Sequence, residues 1–233
     1  MTAVILQSNY IPWKGYFDLL HDADVFIFHD ELQYTKQDWR NRNKIYTKKG
    51  LEWLTIPVGK KAEKMLISQV ELSDTSWQKE HHKSLYWGYK TAPFFDQLEP
   101  IIKDIYVDKK WDTLVALNHY WIDVINDMLG IKTKIIHSKD LILEDGRVNR
   151  LITMLQQVGA SAYISGPAAQ DYIKGNEHQF SDNGITLLYK NYPQYKTYQQ
   201  LHDPFENAVS VVDLIANIGK TQIPEYIWKT QSI

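Results

Sequence analysis

Ala3-Val4-Ile5-Leu6 leads into Gln7-Ser8-Asn9-Tyr10-Ile11-Pro12-Trp13-Lys14-Gly15-Tyr16-Phe17-Asp18, and Val25-Phe26-Ile27-Phe28 closes the stretch. Residues 3–6 are a short apolar run with β-branched members, which reads as a buried strand. Residues 15–24 read as a helix, because Phe17, Leu19, Leu20 and Ala23 cluster on one side at helical spacing. Residues 25–28 read as a second buried strand. Strand, loop, helix and strand in this order make a compact βαβ pattern, the signature of an α/β protein.

The rest of the chain extends that pattern. Residues 53–58 and 66–72 read as further strands, split by the polar turn Gly59-Lys60-Lys61. The middle turns helical. Residues 76–89 and 97–106 fit two helices separated by the breaker Ala92-Pro93. Residues 111–129 fit a long amphipathic helix with Leu114, Leu117, Trp121, Ile125 and Met128 on one face and Gly130 as its C-cap. Residues 134–137, 162–164 and 185–189 read as strands, and 147–158, 168–173 and 209–218 as helices, with Gly159 and Gly219 as stops. The expected architecture is a single α/β domain over residues 1–233, with a mainly helical insertion near 76–130.

Composition narrows the class. The chain has 233 residues, 44% hydrophobic and 23% charged, close to globular averages and unlike disorder. No apolar run approaches the roughly 18 residues of a membrane span, so no membrane insertion is expected. The first residues lack a basic leader pattern, so a cytoplasmic location is expected. Cysteine is absent, which excludes thiol nucleophiles, disulfides and cysteine-based metal sites. With 26 Lys+Arg against 28 Asp+Glu, the net charge is −2, which argues against a general nucleic-acid binder. The unusual quantity is aromatic content, with 8 Trp and 15 Tyr. Such side chains both stack and hydrogen-bond.

Four segments carry candidate chemistry. The first is the loop after the first strand, where Gln7, Asn9, Tyr10, Trp13, Lys14 and Gly15 fall at the edge where open α/β sheets bind ligands. Lys14 suits an anion, and Gly15 permits close backbone approach. The alternative is a turn fixed by Pro12 and stapled into the core by Trp13. The second is Trp39-Arg40-Asn41-Arg42, beyond the second strand. Arginine forks suit phosphates and carboxylates, Asn41 suits sugar hydroxyls or amides, and Trp39 offers a stacking surface. Nine Lys/Arg stand against three acids between residues 36 and 64; for the part from Lys48 onward the expected role is a solvated face. The third is His81-His82. Neighbours on a helix point about 100° apart, so one metal is not expected to take both, and no metal site is expected. Either histidine can serve as a base near neutral pH, or one packs and one is solvated. The fourth is Ser165-Gly166-Pro167, between a strand and a helix, an anion-loop pattern that lacks the nucleophile elbow of hydrolases. Gly219-Lys220-Thr221 imitates the end of a P-loop, but Leu214 stands where the first glycine is required.

Taken together, Gln7 to Phe17, Trp39-Arg40-Asn41-Arg42, Trp53-Leu54-Thr55-Ile56-Pro57-Val58 and Ser165-Gly166-Pro167 resemble the WbqC-like family. The resemblance runs in order from the N-terminus to about Gly219. It implies a role in bacterial surface-polysaccharide (O-antigen) biosynthesis, with acyl or aminoacyl transfer or ligation to the amino group of a nucleotide-linked amino sugar. More distantly, the first βαβ unit is similar to the parallel Rossmann-like sheet of nucleotidyltransferases and class I synthetases. Those proteins carry His-x-Gly-His where this chain has Trp13-Lys14-Gly15-Tyr16. The glycine is kept and both histidines are aromatic here, which counts against ATP and Mg²⁺ as cofactors, although Asp30 and Glu31 are carboxylates of the type that binds Mg²⁺.

The expected enzyme would use His82 or His81 as base and Lys14, Arg40 or Arg42 for positive charge. Gln7, Asn9, Asn41, Ser165 and Gly166 would bind polar groups of the substrate, and Tyr10, Trp13 and Trp39 would stack. The donor would be a thioester, an aminoacyl-tRNA or an acid activated by ATP. The competing expectation is a non-catalytic module that binds a nucleotide, a glycan or a protein in a biosynthetic complex.

Overall fold

The computed structural model describes residues 1–72 and 74–228. Its centre is a five-stranded sheet with every neighbouring pair parallel. The strands are β1 (Thr2–Leu6), β2 (Val25–Phe28), β5 (Lys134–His137), β6 (Ala162–Ser165) and β7 (Thr186–Tyr189), in the order β5-β2-β1-β6-β7. The chain builds outward from β1 on one side, then returns to β1 and builds outward on the other. The order therefore reverses between β1 and β6, and a crevice opens beyond their carboxyl ends. Ligands of open α/β sheets bind at such a point.

All four residues of β2 are buried, as a strand covered on both faces requires. Side chains alternate between two cores. Val4, Phe26 and Phe28 enter the larger one, with α1 (Lys14–His21), α2 (Ser76–Tyr89), α3 (Phe95–Lys103), α4 (Leu114–Leu129) and α8 (Val211–Ile218). Ala3, Ile5, Val25 and Ile27 enter the other, against α5 (Arg147–Gln157), with Ile173 of α6 (Gln170–Ile173) and Phe180 of α7 (Glu177–Asp182). The α/β class and a sheet flanked by helices thus agree with the sequence reading. Gly130 caps α4 in the left-handed conformation with φ 67°, as its position implied.

Several elements differ from expectation. Residues 66–72 do not form a strand. A tight turn at Ile67–Gln69 lies between the isolated bridges Gln33↔Leu66 and Glu71↔Thr113. The apolar residues Ile67, Val70 and Leu72 are buried by packing into the larger core, so no sheet is needed to cover them. The strand expected at 53–58 is β4 (Gly50–Thr55), which pairs with β3 (Arg42–Thr47) as an antiparallel hairpin turning at Lys48-Lys49. Pairing stops short of Pro57, which has no N–H to give. The long helix begins at Leu114 because Thr113 caps it, its Oγ1 accepting from the Ala116 N–H. The preceding helix ends at Lys103 and passes into a wide turn over Asp104–Asp108. The short helices α7 and α9 (Pro224–Ile227) were not expected. Between β7 and α8 the chain runs irregularly back over α1, where the Tyr195 hydroxyl donates to Asp18 at 2.7 Å. No helix among the described residues is long and apolar enough to cross a membrane.

Candidate functional site

A cavity of about 660 Å³ fills the crevice between β1 and β6. Gln7 follows β1, His29 follows β2, and Ser165 and Gly166 come from the end of β6. Arg40 reaches in from the loop before β3, and Gly146, Arg147 and Arg150 come from the start of α5. Three arginines therefore line the space, and among the described residues no Asp or Glu does. This is an environment for an anion.

The first loop is fixed by its neighbours. Asp30 accepts from the Ser8 N–H at 2.8 Å, and its other oxygen meets His119 Nε2 at 2.8 Å. Arg40 donates through Nη1 to the Asn9 side-chain oxygen and through Nη2 to that of Gln7 at 3.0 Å. An ion pair with Asp38 at 3.5 Å holds the same guanidinium from behind. Sequence positions 7, 9 and 40 are thus one arrangement, with Gln7 and Arg40 on the cavity wall.

His29 is the titratable group best placed for chemistry. Only 4% of it is exposed, and it lines the cavity. Its Nδ1 lies 3.0 Å from Ser138 Oγ. That hydroxyl donates its one proton to Glu31, whose carboxylate has none to offer in return. Ser138 must then accept from His29, so Nδ1 carries the proton and Nε2 keeps its lone pair. Nε2 has no hydrogen-bond partner among the described residues. Burial, and after it the positive charge of Arg150, lowers the His29 pKa from 6.5 to about 4, against an opposing contribution from Asp30. The imidazole is neutral at pH 7 and can accept a proton at Nε2.

Other candidates lie elsewhere. His81 is buried, with Nδ1 against the Tyr10 hydroxyl at 2.8 Å and Nε2 against the Thr55 carbonyl at 3.2 Å. Both nitrogens are occupied, and burial lowers its pKa to about 4. Tyr10 is fully buried and bonds Tyr106 as well. His82 stacks on Tyr86, and neither His81 nor His82 lines the cavity. Lys14 is buried beneath the irregular segment, with Nζ 5.0 Å from the Tyr195 ring centre and 5.4 Å from that of Tyr198. Burial lowers its pKa to about 8. Trp13 packs edge-on against Tyr192 and Tyr195, and Gly15 lies directly under its indole. The Trp13-Lys14-Gly15-Tyr16 turn is therefore covered rather than open. Asn41 is buried and donates to the Ile56 carbonyl at 2.8 Å. Trp39 and Trp53, each 42% exposed, lie 5.5 Å apart, and the Arg42 guanidinium stacks 4.0 Å over Trp53. These three form an outer shelf. The carboxylates of Asp30 and Glu31 are committed to Ser8, His119 and Ser138, so they do not form a set that fits Mg²⁺. No cluster of three or more metal-ligating side chains occurs among the described residues.

Sequence reading missed His29, Ser138, Arg147 and Arg150. The one available signal was position, since His29 directly follows a buried strand and Arg147 opens a helix.

Comparison with known proteins supplies the relationship. The model of the WbqC-like protein family matches residues 7–225. "Uncharacterized protein Rv1507c" of Mycobacterium tuberculosis (strain ATCC 25618 / H37Rv) is 40% identical over 224 residues, covering 96% of each chain. No solved structure matches. A family model spanning nearly all of the chain, together with a relative of this identity and coverage, shows that the chain belongs to the WbqC-like protein family.

Proposed function

We propose that this protein is an enzyme of bacterial surface-polysaccharide biosynthesis that transfers an acyl or aminoacyl group to the amine of a nucleotide-linked amino sugar. The observation that carries the reading is one cavity holding a neutral, orientated His29 beside three arginines. The strand reversal beside β1 supports a Rossmann-like reading of the sheet. In the proposed reaction the sugar amine attacks the donor carbonyl and a C–N bond forms. His29 Nε2 accepts the proton that the nitrogen loses. The carbon–sulfur or carbon–oxygen bond to the donor then breaks, and the leaving group takes that proton. Arg40, Arg147 and Arg150 hold the phosphates, while Gln7 and Ser165 face the sugar or acyl oxygens. Such positioned proton transfer contributes roughly 10²–10⁴ in rate.

The test is mass spectrometry of UDP- and dTDP-amino sugars incubated with the protein and one donor at a time: an acyl thioester, an aminoacyl-tRNA, or a free acid with ATP and Mg²⁺. An acyl mass gain that disappears in His29→Gln supports the reading. Tight binding of the nucleotide sugars without turnover with any donor overturns it. That second outcome would instead support a non-catalytic binding module. The exposed Trp39–Trp53 shelf favours this second reading, because it offers stacking faces without an acid–base group.

A further inference from the structure

The positive end of the cavity has an internal construction of its own. Helix α5 is 11 residues long and starts at Gly146, which has no side chain to cap it. Its first turn contains no acid. The N–H groups of Arg147, Val148 and Asn149 have no acceptor among the described residues; the first amide with a partner is Arg150, which bonds the Gly146 carbonyl at 3.0 Å. An uncapped helix start carries about half a positive charge. Gly146, Arg147 and Arg150 all face the cavity.

Both arginines are held in place with little neutralisation, since Arg147 pairs with no carboxylate among the described residues and Arg150 only with the solvent-exposed Asp145. Arg147 lies 4.9 Å over the Tyr172 ring, which also lines the cavity. Arg150 donates through Nε to the Glu144 carbonyl at 2.9 Å. Its Nη atoms donate no hydrogen bond among the described residues, and the carboxylate of Asp145 stands 4.0 Å off, its side chain in open solvent. The independent sign of a ligand is His29, 4% exposed, which meets the same space with its Nε2 unpartnered.

We propose that the first turn of α5, with Arg147 and Arg150, is the phosphate subsite of this cavity, and that it takes the diphosphate of a nucleotide. The three free N–H groups and two guanidinium forks suit a group with several charged oxygens. The subsite deepens the proposed function and rests on it in naming a nucleotide sugar as the source of the phosphates.

The experiment is calorimetric titration of the full chain with inorganic pyrophosphate, UDP, dTDP, GDP and ADP, repeated with Arg147→Gln, Arg150→Gln and Asn149→Asp. Arg147→Gln and Arg150→Gln are each expected to weaken binding of the preferred nucleotide roughly tenfold to a hundredfold. Asn149→Asp places a carboxylate in the first turn. It should preserve or raise the melting temperature, because the helix start favours negative charge, and yet weaken the nucleotide several-fold. That opposition of signs separates repulsion of the ligand from damage to the fold. Nucleotide affinity unchanged in Arg150→Gln and Asn149→Asp overturns the subsite, as does the absence of binding by every probe. Pyrophosphate binding as tightly as all four nucleotides overturns the nucleotide source. Nucleotide binding that depends on Arg150 without any acyl transfer overturns the transferase reading alone, and acyl transfer indifferent to Arg150→Gln overturns the subsite alone.

Discussion

His29 Nδ1 and Ser138 Oγ lie 3.0 Å apart, although 109 residues separate them in the chain. The two side chains stand at the carboxyl ends of adjacent strands, β2 and β5, which the parallel register brings together at Phe28↔His137. Because Glu31 takes the serine proton, the contact selects one histidine tautomer. Nitrogen-15 spectra of selectively labelled histidine should show His29 protonated at Nδ1 and bare at Nε2. In Ser138→Ala the ring should sample both tautomers. Dominance of the Nε2–H form in the parent protein would remove His29 as a base.

The low His29 pKa comes first from burial and then from Arg150. An anionic ligand at Arg150 offsets the second cause and adds a negative charge of its own, so both effects favour imidazolium. The expected result is a His29 pKa that moves upward from about 4 on adding the preferred nucleotide. The histidine then becomes a stronger base when substrate is present. A titration curve unmoved by saturating nucleotide would place the ligand's charge away from Arg150.

Acid should destabilise the fold through His29 and His81, both lowered from 6.5 to about 4. Between those values the unfolded chain binds a proton at each site and the native chain does not. The stability contributed by these two neutral histidines is therefore fully present above pH 6.5 and falls as the pH drops toward 4. Each histidine adds a slope of roughly 1.4 kcal/mol per pH unit. Urea denaturation at pH 7, 6 and 5 measures the slope. His81→Gln should reduce it by about one group's share. An undiminished slope would mean that His81 is charged in the folded protein.

The fold was legible where burial follows composition. Val25-Phe26-Ile27-Phe28 has no polar member, and β2 has those same bounds. Strand β3 was not legible because its buried face begins with a polar residue. Asn43 is 2% exposed, and its amide donates to the carbonyls of Tyr10 and Ile11 at 3.1 and 2.9 Å. Arg42-Asn43-Lys44 therefore does not show the alternation of a half-buried strand, although Asn43 is interior and Arg42 and Lys44 are half-buried. Of the sequence candidates, Gln7, Arg40, Ser165 and Gly166 line the candidate cavity, and Asn9 meets it only through Arg40. His81 attracted attention through its neighbour His82, but its partners Tyr10 and Thr55 come from distant positions. The partners of His29 are equally remote, and spacing along a chain does not report such contacts.

Gly15 tests the covered turn. A Cβ at this position would overlap the six-membered ring of Trp13. That ring has little freedom to leave, since Tyr192 and Tyr195 lie against it at 5.1 and 6.0 Å. Gly15→Ala should cost about 1–3 kcal/mol, the range for overpacking a filled interior. In a Trp13→Leu background the same change should cost clearly less. Urea denaturation of the four proteins gives the coupling directly. Equal costs in both backgrounds would show that the indole is not what excludes a side chain.

Arg40 ties the loop after β1 to the loop before β3, and its role separates into charge and shape. Its fork holds Asn9 and Gln7 at once, with Asp38 behind it. If the proposed nucleotide-linked amino sugar is the ligand, Arg40→Ala should weaken its binding by about 1–3 kcal/mol through loss of a charge-assisted contact. Arg40→Lys keeps the charge but cannot reach both amide oxygens, because an ammonium lacks the planar fork. It should therefore recover only part of the affinity. Full recovery by lysine would mean that charge alone matters and that Gln7 and Asn9 are positioned by other contacts. Unchanged affinity in Arg40→Ala would remove Arg40 from the site, and the phosphates would then rest on the α5 side alone.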